Sequence, residues 1–234
     1  MIEGHTSRTF DGALAALHLR VLEMGGLVLE QVREAGKAFT EWDDVIAERV
    51  MERERIVNDY DVTVDEELLT LIARRQPMAS DLRVIIAMSK AVAELERAGD
   101  EAKKIARTVL LHAARPRPGT VRDARHLAGL AVSLLRSSLD AFDRLDRELA
   151  ADVIKGDSEL DHEYAAGLRR LMTRTMEDPR GFDSTLESAF VLKSLERIGD
   201  HARNVARHLL SIDTPAVYNE NVRAAIAGQG GQSP

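Results

Sequence analysis

The chain has 234 residues, is 44% hydrophobic and 30% charged but only 4% aromatic, and carries six prolines, no cysteine and a formal net charge of −7. Without cysteine there are no disulfides, thiolate nucleophiles, zinc fingers or iron–sulfur clusters, and an acidic chain is a poor nucleic-acid binder, because that affinity comes from clustered Lys and Arg on phosphates. The balance is that of a soluble protein built from helices, not from sandwiches or barrels.

The first twelve residues, MIEGHTSRTFDG, lack a basic stretch followed by an apolar one, and no run approaches the ~18 apolar residues of a membrane span. A cytoplasmic location follows as the expectation, with membrane contact only through partners. From Thr9 to Phe39 apolar residues recur at helical spacing through Leu14, Leu17, Val21, Met24, Val28 and Val32, with Gly25-Gly26 as the weak point. A second helix is predicted from Trp42 to Gln76 on Val45, Val50, Val57, Val64, Leu68 and Leu71, stopped by Pro77. Ser80 or Asp81 is placed to cap a third, Leu82 to His112. ARPRPGT at 114–120 then reads as a linker. The second half follows the same plan: Val121–Leu149, Asp152–Glu177, the breaker EDPRG, and Ser184–Ile212.

The plan repeats because the chain is duplicated. LERAGD at 95–100 returns as LERIGD at 195–200, and ELERAGDEAKKIAR aligns with SLERIGDHARNVAR. The predicted fold is all-α: two tandem antiparallel three-helix bundles, residues 1–115 and 116–213, and a tail at 214–234.

Each repeat carries a carboxylate pair four residues apart, Glu96 with Asp100 and Glu196 with Asp200. On a helix such a pair shares one face and repels by roughly 0.2–0.5 kcal/mol unless a cation intervenes. The pairs flank the apolar stripes Val92, Leu95, Gly99, Ala102, Ala106 and Leu192, Leu195, Gly199, Ala202. Middle helices add acids on their apolar seams: Asp157 and Asp161 among Ile154, Tyr164 and Leu168, and Glu54 and Asp61 among Ala47, Val50, Val57 and Val64, with Asn58 where the second half has Asp161.

Acids beside a core need compensation. One form is a metal site, since carboxylates from facing helices offer hard oxygens suited to Mg, Mn, Ca or iron. The other is a set of salt bridges to Arg97, Lys103, Lys104, Arg197 and Arg203, which is how most such acids are satisfied. Gly99 and Gly199 fit close helix approach or room for an ion, the first being the commoner cause. Glu159 and His162 form the only Glu-x-x-His pair, whereas a ferritin-like di-iron centre takes one from each of two helices. For His201, beside Asp200, a solvent-facing position is favoured over a ligand role. No phosphate loop, dinucleotide fingerprint or nucleophile elbow is present, so no catalytic residues are assigned.

The segments RVLEMGG (20–26), IARRQPMASDLR (72–83), ELERAGD (94–100), LMTRTMEDPR (171–180) and SLERIGD (194–200) together resemble the PhoU family, accessory and regulatory proteins of bacterial high-affinity phosphate transport. The resemblance runs from about Thr6 to Ile212. It implies the paired bundles, a homodimer, and metal clusters, in some members iron, at Glu/Asp-x-x-x-Asp motifs. Carried over by position, the ligands are Glu96, Asp100, Glu196 and Asp200, faced by Glu54, Asp157 and Asp161; iron, magnesium, manganese and zinc are the candidate ions. Asn58 leaves the first-half site short of one acid. The tail TPAVYNENVRAAIAG departs from the short ending of the family. The resemblance further implies a negative regulator of phosphate uptake and of the phosphate-starvation (Pho) response, linking the transporter's ATP-binding subunit to a phosphate-sensing histidine kinase. A metal-dependent helical-bundle enzyme and a purely structural helical adaptor are the competing readings.

Overall fold

The apolar-periodic runs each become a helix, and local turn chemistry decides where each one stops. The computed structural model describes residues 3–77, 79–113 and 121–212, with side chains described from Phe10 to Pro77 and from Asp81 onward. Six helices follow in order: α1 (Glu3–Glu41), α2 (Asp44–Arg75), α3 (Ala79–His112), α4 (Val121–Arg144), α5 (Arg147–Glu177) and α6 (Phe182–Leu210), with one 3-10 turn at Pro179–Gly181. No strand occurs among the described residues, and the chain forms the two predicted three-helix bundles. The linker expected at 114–120, with the domain boundary drawn through it, and the tail at 214–234 lie outside the described residues.

Two turns have the same construction. Trp42 and Leu145 adopt left-handed backbone, with φ of 59° and 53°. Each is followed by an aspartate N-cap: Asp43 accepts from the Ile46 amide at 2.9 Å, and Asp146 from the Glu148 and Leu149 amides at 3.0 Å. A left-handed non-glycine residue costs about 1–3 kcal/mol, and a cap returns about 1. Burial of Leu145 and the edge contact of Trp42 on Phe39 favour the same geometry. The break expected between Leu149 and Asp152 therefore falls at Leu145-Asp146, where neither Gly nor Pro marks it. At the end of α2, Gln76 takes φ 45° and bonds back to the Ile72 carbonyl before Pro77.

The turns also fix the alignment of the halves. Asp43 and Asp146 are 103 residues apart (146 − 43), and with that offset Val21, Met24, Val28, Val32 and Phe39 of α1 fall on Ala124, Leu127, Ala131, Leu135 and Phe142 of α4, all buried. The repeat extends through helices whose residues differ but whose burial is the same. Gly25-Gly26 does not interrupt α1. A Cβ on Gly25 would meet Leu139 of α4 at 2.3 Å, and one on Gly36 would meet Ala128 at 2.7 Å. Leu139 is the counterpart of Gly36, and Ala128 of Gly25, so α1 and α4 cross antiparallel about a local two-fold axis.

Helices α3 and α6, offset by 100, meet antiparallel as well, through Glu94 with His201, Glu101 with Arg197 and His112 with Glu187. The halves therefore share one continuous apolar core along α1/α4 and α3/α6. Helix α2 covers α1 and α3 on one flank, while α5 covers α4 and α6 on the other.

Helix α1 bears on the expectation that no run approaches a membrane span. Phe10–Glu41 is by length and hydropathy able to cross a membrane. Its apolar face, however, is the one buried here, through Leu14, Val21, Met24, Val28 and Val32. The sequence shows no unbroken apolar run because Arg20, Glu23, Glu30 and Arg33 occupy the other face.

The glycines on that helix yield a paired prediction. Nothing lies within 4 Å of a Cβ on Gly26, so Gly26→Ala should stabilise by about 0.4–1 kcal/mol through chain entropy and helix propensity. Gly36→Ala drives a methyl into Ala128, a short side chain that cannot rotate away, and should cost about 1–3 kcal/mol. Urea denaturation of both variants checks the sign difference; equal shifts would mean that the α1/α4 crossing is not this tight.

Candidate metal-binding clefts

The duplicated carboxylates gather on the seams between the middle and last helix of each half. In the first, Glu54 of α2 is buried at 2% exposure. Gln31 of α1 donates to one Glu54 oxygen at 2.7 Å, and Lys103 of α3 lies 3.5 Å from the other. Lys103 also reaches Asp100, 3.3 Å away. Gly99 leaves room for the arrangement, since a Cβ there would stand a tight 3.2 Å from the Glu54 carboxylate.

The second cleft repeats this with a stronger cation. Asp157 of α5 is buried at 3% exposure and pairs with Arg203 of α6, whose guanidinium also meets Asp200 at 2.6 Å. Lys103 and Arg203 are counterparts one hundred residues apart. Glu196, largely buried, pairs with Lys193 at 2.6 Å. Gly199 allows close approach: a Cβ there would collide with Leu160 at 2.1 Å and stand 3.4 Å from an Asp157 oxygen. Gly199 thus serves packing against Leu160 first, whereas the nearest neighbours at Gly99 are the Glu54 carboxylate and the Gln31 amide.

The sequence misplaced some of these residues by one position around the helix. In α5 the buried seam is Val153, Asp157, Leu160, Gly167 and Leu171, while Ile154, Tyr164 and Leu168 sit half-buried beside it. Asp157 is thus inside and Asp161 outside. In α2, Val45 is 58% exposed and Ile46 takes the core position. His201 is not solvent-facing: it is 8% exposed, with Nδ1 2.7 Å from Glu94 of α3, in the seam between halves. Glu159 and His162 are exposed, and His162 bonds only within its own helix, to the Ser158 carbonyl.

Charge in the clefts is only partly neutralised. Burial pushes the Glu54 carboxyl up, against the Gln31 hydrogen bond and the Lys103 charge, and Asp100 adds to the rise. Glu96 is also raised, by burial first and then by the charges of Asp100, Asp61 and Glu54. Asp61 is raised by burial and by Asp65. Asp157 is raised by burial despite Arg203, with Asp161 and Asp200 contributing. Lys103 is held protonated above its usual value: burial lowers it, but Glu54 and Asp100 outweigh that.

A raised carboxyl in the folded state means that protein stability falls as pH rises from the ordinary carboxylate value through the raised one. Glu96→Gln removes that loss. We expect a gain of a few tenths of a kcal/mol at neutral pH, the size of a like-charge helix pair, fading as pH drops below the ordinary Glu value of 4.5. Thermal melts across that pH range check it; a gain that persists in acid would assign the effect to packing.

The donor set suits a hard cation, and two features favour one. A buried Asp157 oxygen has no hydrogen-bond partner, and among the described residues Glu96, Asp61 and Asp161 make no hydrogen bond or salt bridge. Yet no group of three or more His, Asp or Glu side chains among the described residues is drawn together as an ion requires. The acids converge instead on Lys103 and Arg203, so a metal would have to displace those two cations. The salt-bridge reading describes the present arrangement, and the metal reading describes what it could accept.

The PhoU domain family matches residues 21–109 and again 124–209. A relative from Pseudomonas putida, the phosphate-specific transport system accessory protein PhoU homolog, is 44% identical over 203 residues, 86% of this chain and 79% of that protein. The Escherichia coli K12 accessory protein PhoU is 38% identical over 205 residues, 88% and 85% of the two chains. The crystal structure of PhoU from Pseudomonas aeruginosa superposes with a TM-score of 0.84 at 41% identity, covering 87% of this chain and 98% of that one. The phosphate transport system regulatory protein PhoU from Streptococcus pneumoniae superposes at 0.80 with 26% identity, covering 88% and 97%. With the family domain matched twice, once per bundle, and the acidic helices in the same register in both, the chain belongs to the PhoU family.

Proposed function

We propose that this protein is a cytoplasmic accessory and negative regulatory component of a phosphate-specific transport system, acting by binding and not by turnover. The observation that carries the reading is similarity along most of the chain, in both copies of the domain, to proteins named as accessories of that system. Its partners in this reading are the transporter's ATP-binding subunit and the phosphate-sensing histidine kinase, and it works as a homodimer. Docked to the kinase, it biases the phosphate-replete state by the difference in its affinity for the two kinase states, and by no more than that.

The clefts belong to the same proposal. A divalent or iron ion held by Glu96, Asp100 and Glu54 in one half, and by Glu196, Asp200, Asp157 and Asp161 in the other, would supply the positive charge that Lys103 and Arg203 now supply. The protein's own part is to hold the acids on rigid helices, with Gly99 and Gly199 fixing their depth.

Deleting the chain from its host should switch on phosphate-starvation transcription in phosphate-rich medium, and re-expression should silence it. A deletion strain that still represses normally would overturn the regulatory reading. For the metal, elemental analysis of protein purified without chelator should show bound ion that is absent from a Glu96→Ala/Asp200→Ala variant retaining its helical circular dichroism. Equal metal content in both would remove these acids as ligands.

A further inference from the structure

Aligned by the 103-residue offset, corresponding clefts open on the outer surface between α1 and α2 and between α4 and α5, and they differ in charge. The second-half cleft, about 1020 Å³ in volume, is lined by four arginines, Arg122 from α4 and Arg169, Arg170 and Arg174 from α5, together with His126 and the acids Asp123, Glu163 and Glu177. Subtracting 103 from the four arginines and His126 gives the first-half residues Leu19, Glu66, Glu67, Leu71 and Glu23. Leu19 and Glu23 line the first-half cleft alongside Asp59, Tyr60 and Thr63. One backbone plan has been kept, while the four arginine positions of the second copy hold no cation in the first, which has Arg20 and Arg74 where the second has Asp123 and Glu177.

The cationic cleft is built in two layers. Arg170 is held across the helices by Asp123, 2.8 Å away, with Glu163 at 3.9 Å. The first half makes the same bridge with charges exchanged, Arg20 of α1 to Glu67 of α2 at 2.5 Å, so this contact is the structural part of the site. His126 lies 3.9 Å from Glu163. Outside this layer, among the described residues, the guanidinium groups of Arg122, Arg169 and Arg174 have neither hydrogen-bond nor salt-bridge partners. Arg170 and Arg174 are four apart on one helix face, a spacing at which like charges repel by a few tenths of a kcal/mol. On a chain of net charge −7, three unpartnered guanidinium groups against the single remaining carboxylate of the lining, Glu177, call for an anion in a concavity of ligand size, since small-molecule sites span about 300–1,000 Å³.

We propose that the α4/α5 cleft binds a soluble anion carrying two or more phosphoryl groups, such as a condensed phosphate or a nucleoside polyphosphate. Guanidinium forks approaching from two helices suit tetrahedral phosphoryl groups, whose terminal oxygens point several ways, better than a planar carboxylate with two. The volume exceeds what a single orthophosphate fills. The inference is independent of the regulatory reading and of the carboxylate clefts, which hold no cationic surplus.

Calorimetric titration of the full chain with sodium tripolyphosphate in chelator-treated buffer tests it. We expect saturable binding near one per chain, at least tenfold weaker in Arg122→Gln/Arg169→Gln/Arg174→Gln and unchanged in Arg55→Gln, a control at an exposed arginine in the other half. All three substitutions are on exposed positions, and a melt of the triple variant verifies that it stays folded. Orthophosphate should bind more weakly than tripolyphosphate. Absence of saturable binding, equal affinity in the triple variant, or arginine-dependent binding only to phosphatidylglycerol vesicles would each overturn the proposal, the last by identifying a membrane surface as the true source of phosphate.

Discussion

Replacing Arg203 by alanine is expected to lower the unfolding free energy by about 3–5 kcal/mol, the loss typical of removing one partner from a buried ion pair. Asp157 keeps only 4% of its side-chain surface exposed, and Arg203 is the cation given to it. Alanine leaves the carboxylate inside with one oxygen that already lacks a partner. The deficit should shrink in mild acid, because burial already pushes the Asp157 carboxyl upward and removal of Arg203 pushes it further, so protonation relieves the variant first. Asp157→Asn/Arg203→Met, which removes both charges, should recover most of the loss. Lys103→Ala should cost less: Lys103 is more exposed, at 37%, and Gln31 still donates to Glu54.

The same variant interrogates the metal reading. If Arg203 stands where an ion would, Arg203→Ala should gain thermal stability on adding millimolar Mn²⁺ or Mg²⁺, and by more than the unaltered protein does. Urea unfolding with and without chelator measures both effects. A variant as stable as the parent would show that Asp157 is hydrated, and no differential metal response would leave the cleft as an ion pair only.

Helix content, helix order and the duplicated acids were legible because each rests on periodicity, and periodicity survives substitution. What stayed hidden rests on single residues. The α4/α5 turn uses a left-handed leucine before an aspartate cap, with no glycine or proline to mark it; only alignment with Trp42-Asp43 could have revealed it. Asp157 and Asp161 looked equivalent on a seam read one residue out of phase, and depth alone separates them. His201 was read from its neighbour Asp200, whereas its partner Glu94 is 107 residues away on another helix. The register of the two halves against each other is equally non-local, set by Gly25 and Gly36 meeting Leu139 and Ala128. The arginine cleft was within reach: subtracting one half from the other exposes it, a comparison that a search for shared motifs passes over.

Glu94→Ala should be the second most damaging substitution among the polar residues, because Glu94 ties the two halves together from within. Its carboxylate lies 2.7 Å from His201 Nδ1 and accepts from Asn204 Nδ2 at 3.1 Å, both on α6, while Arg97 approaches at 3.3 Å. Burial alone would raise this carboxyl, but the hydrogen bonds of His201 and Asn204, with the charges of His201 and Arg97, hold it below its usual value. A depressed folded-state carboxyl contributes stability that is present above the unfolded value of 4.5 and is lost as pH falls through the lower folded one. At neutral pH the alanine variant should therefore lose about 2–4 kcal/mol, the sum of charged hydrogen bonds removed and buried donors left unpaired. Glu94→Gln, which keeps an acceptor, should lose much less. The two denaturation curves should converge with that of the parent only in strong acid. Amide exchange along α3 and α6 gives the structural counterpart: a seam held by this cluster should open locally in Glu94→Ala while α2 and α5 keep their protection. If exchange rises uniformly, or not at all, the halves are held together by the apolar core, and the cluster contributes orientation without holding strength.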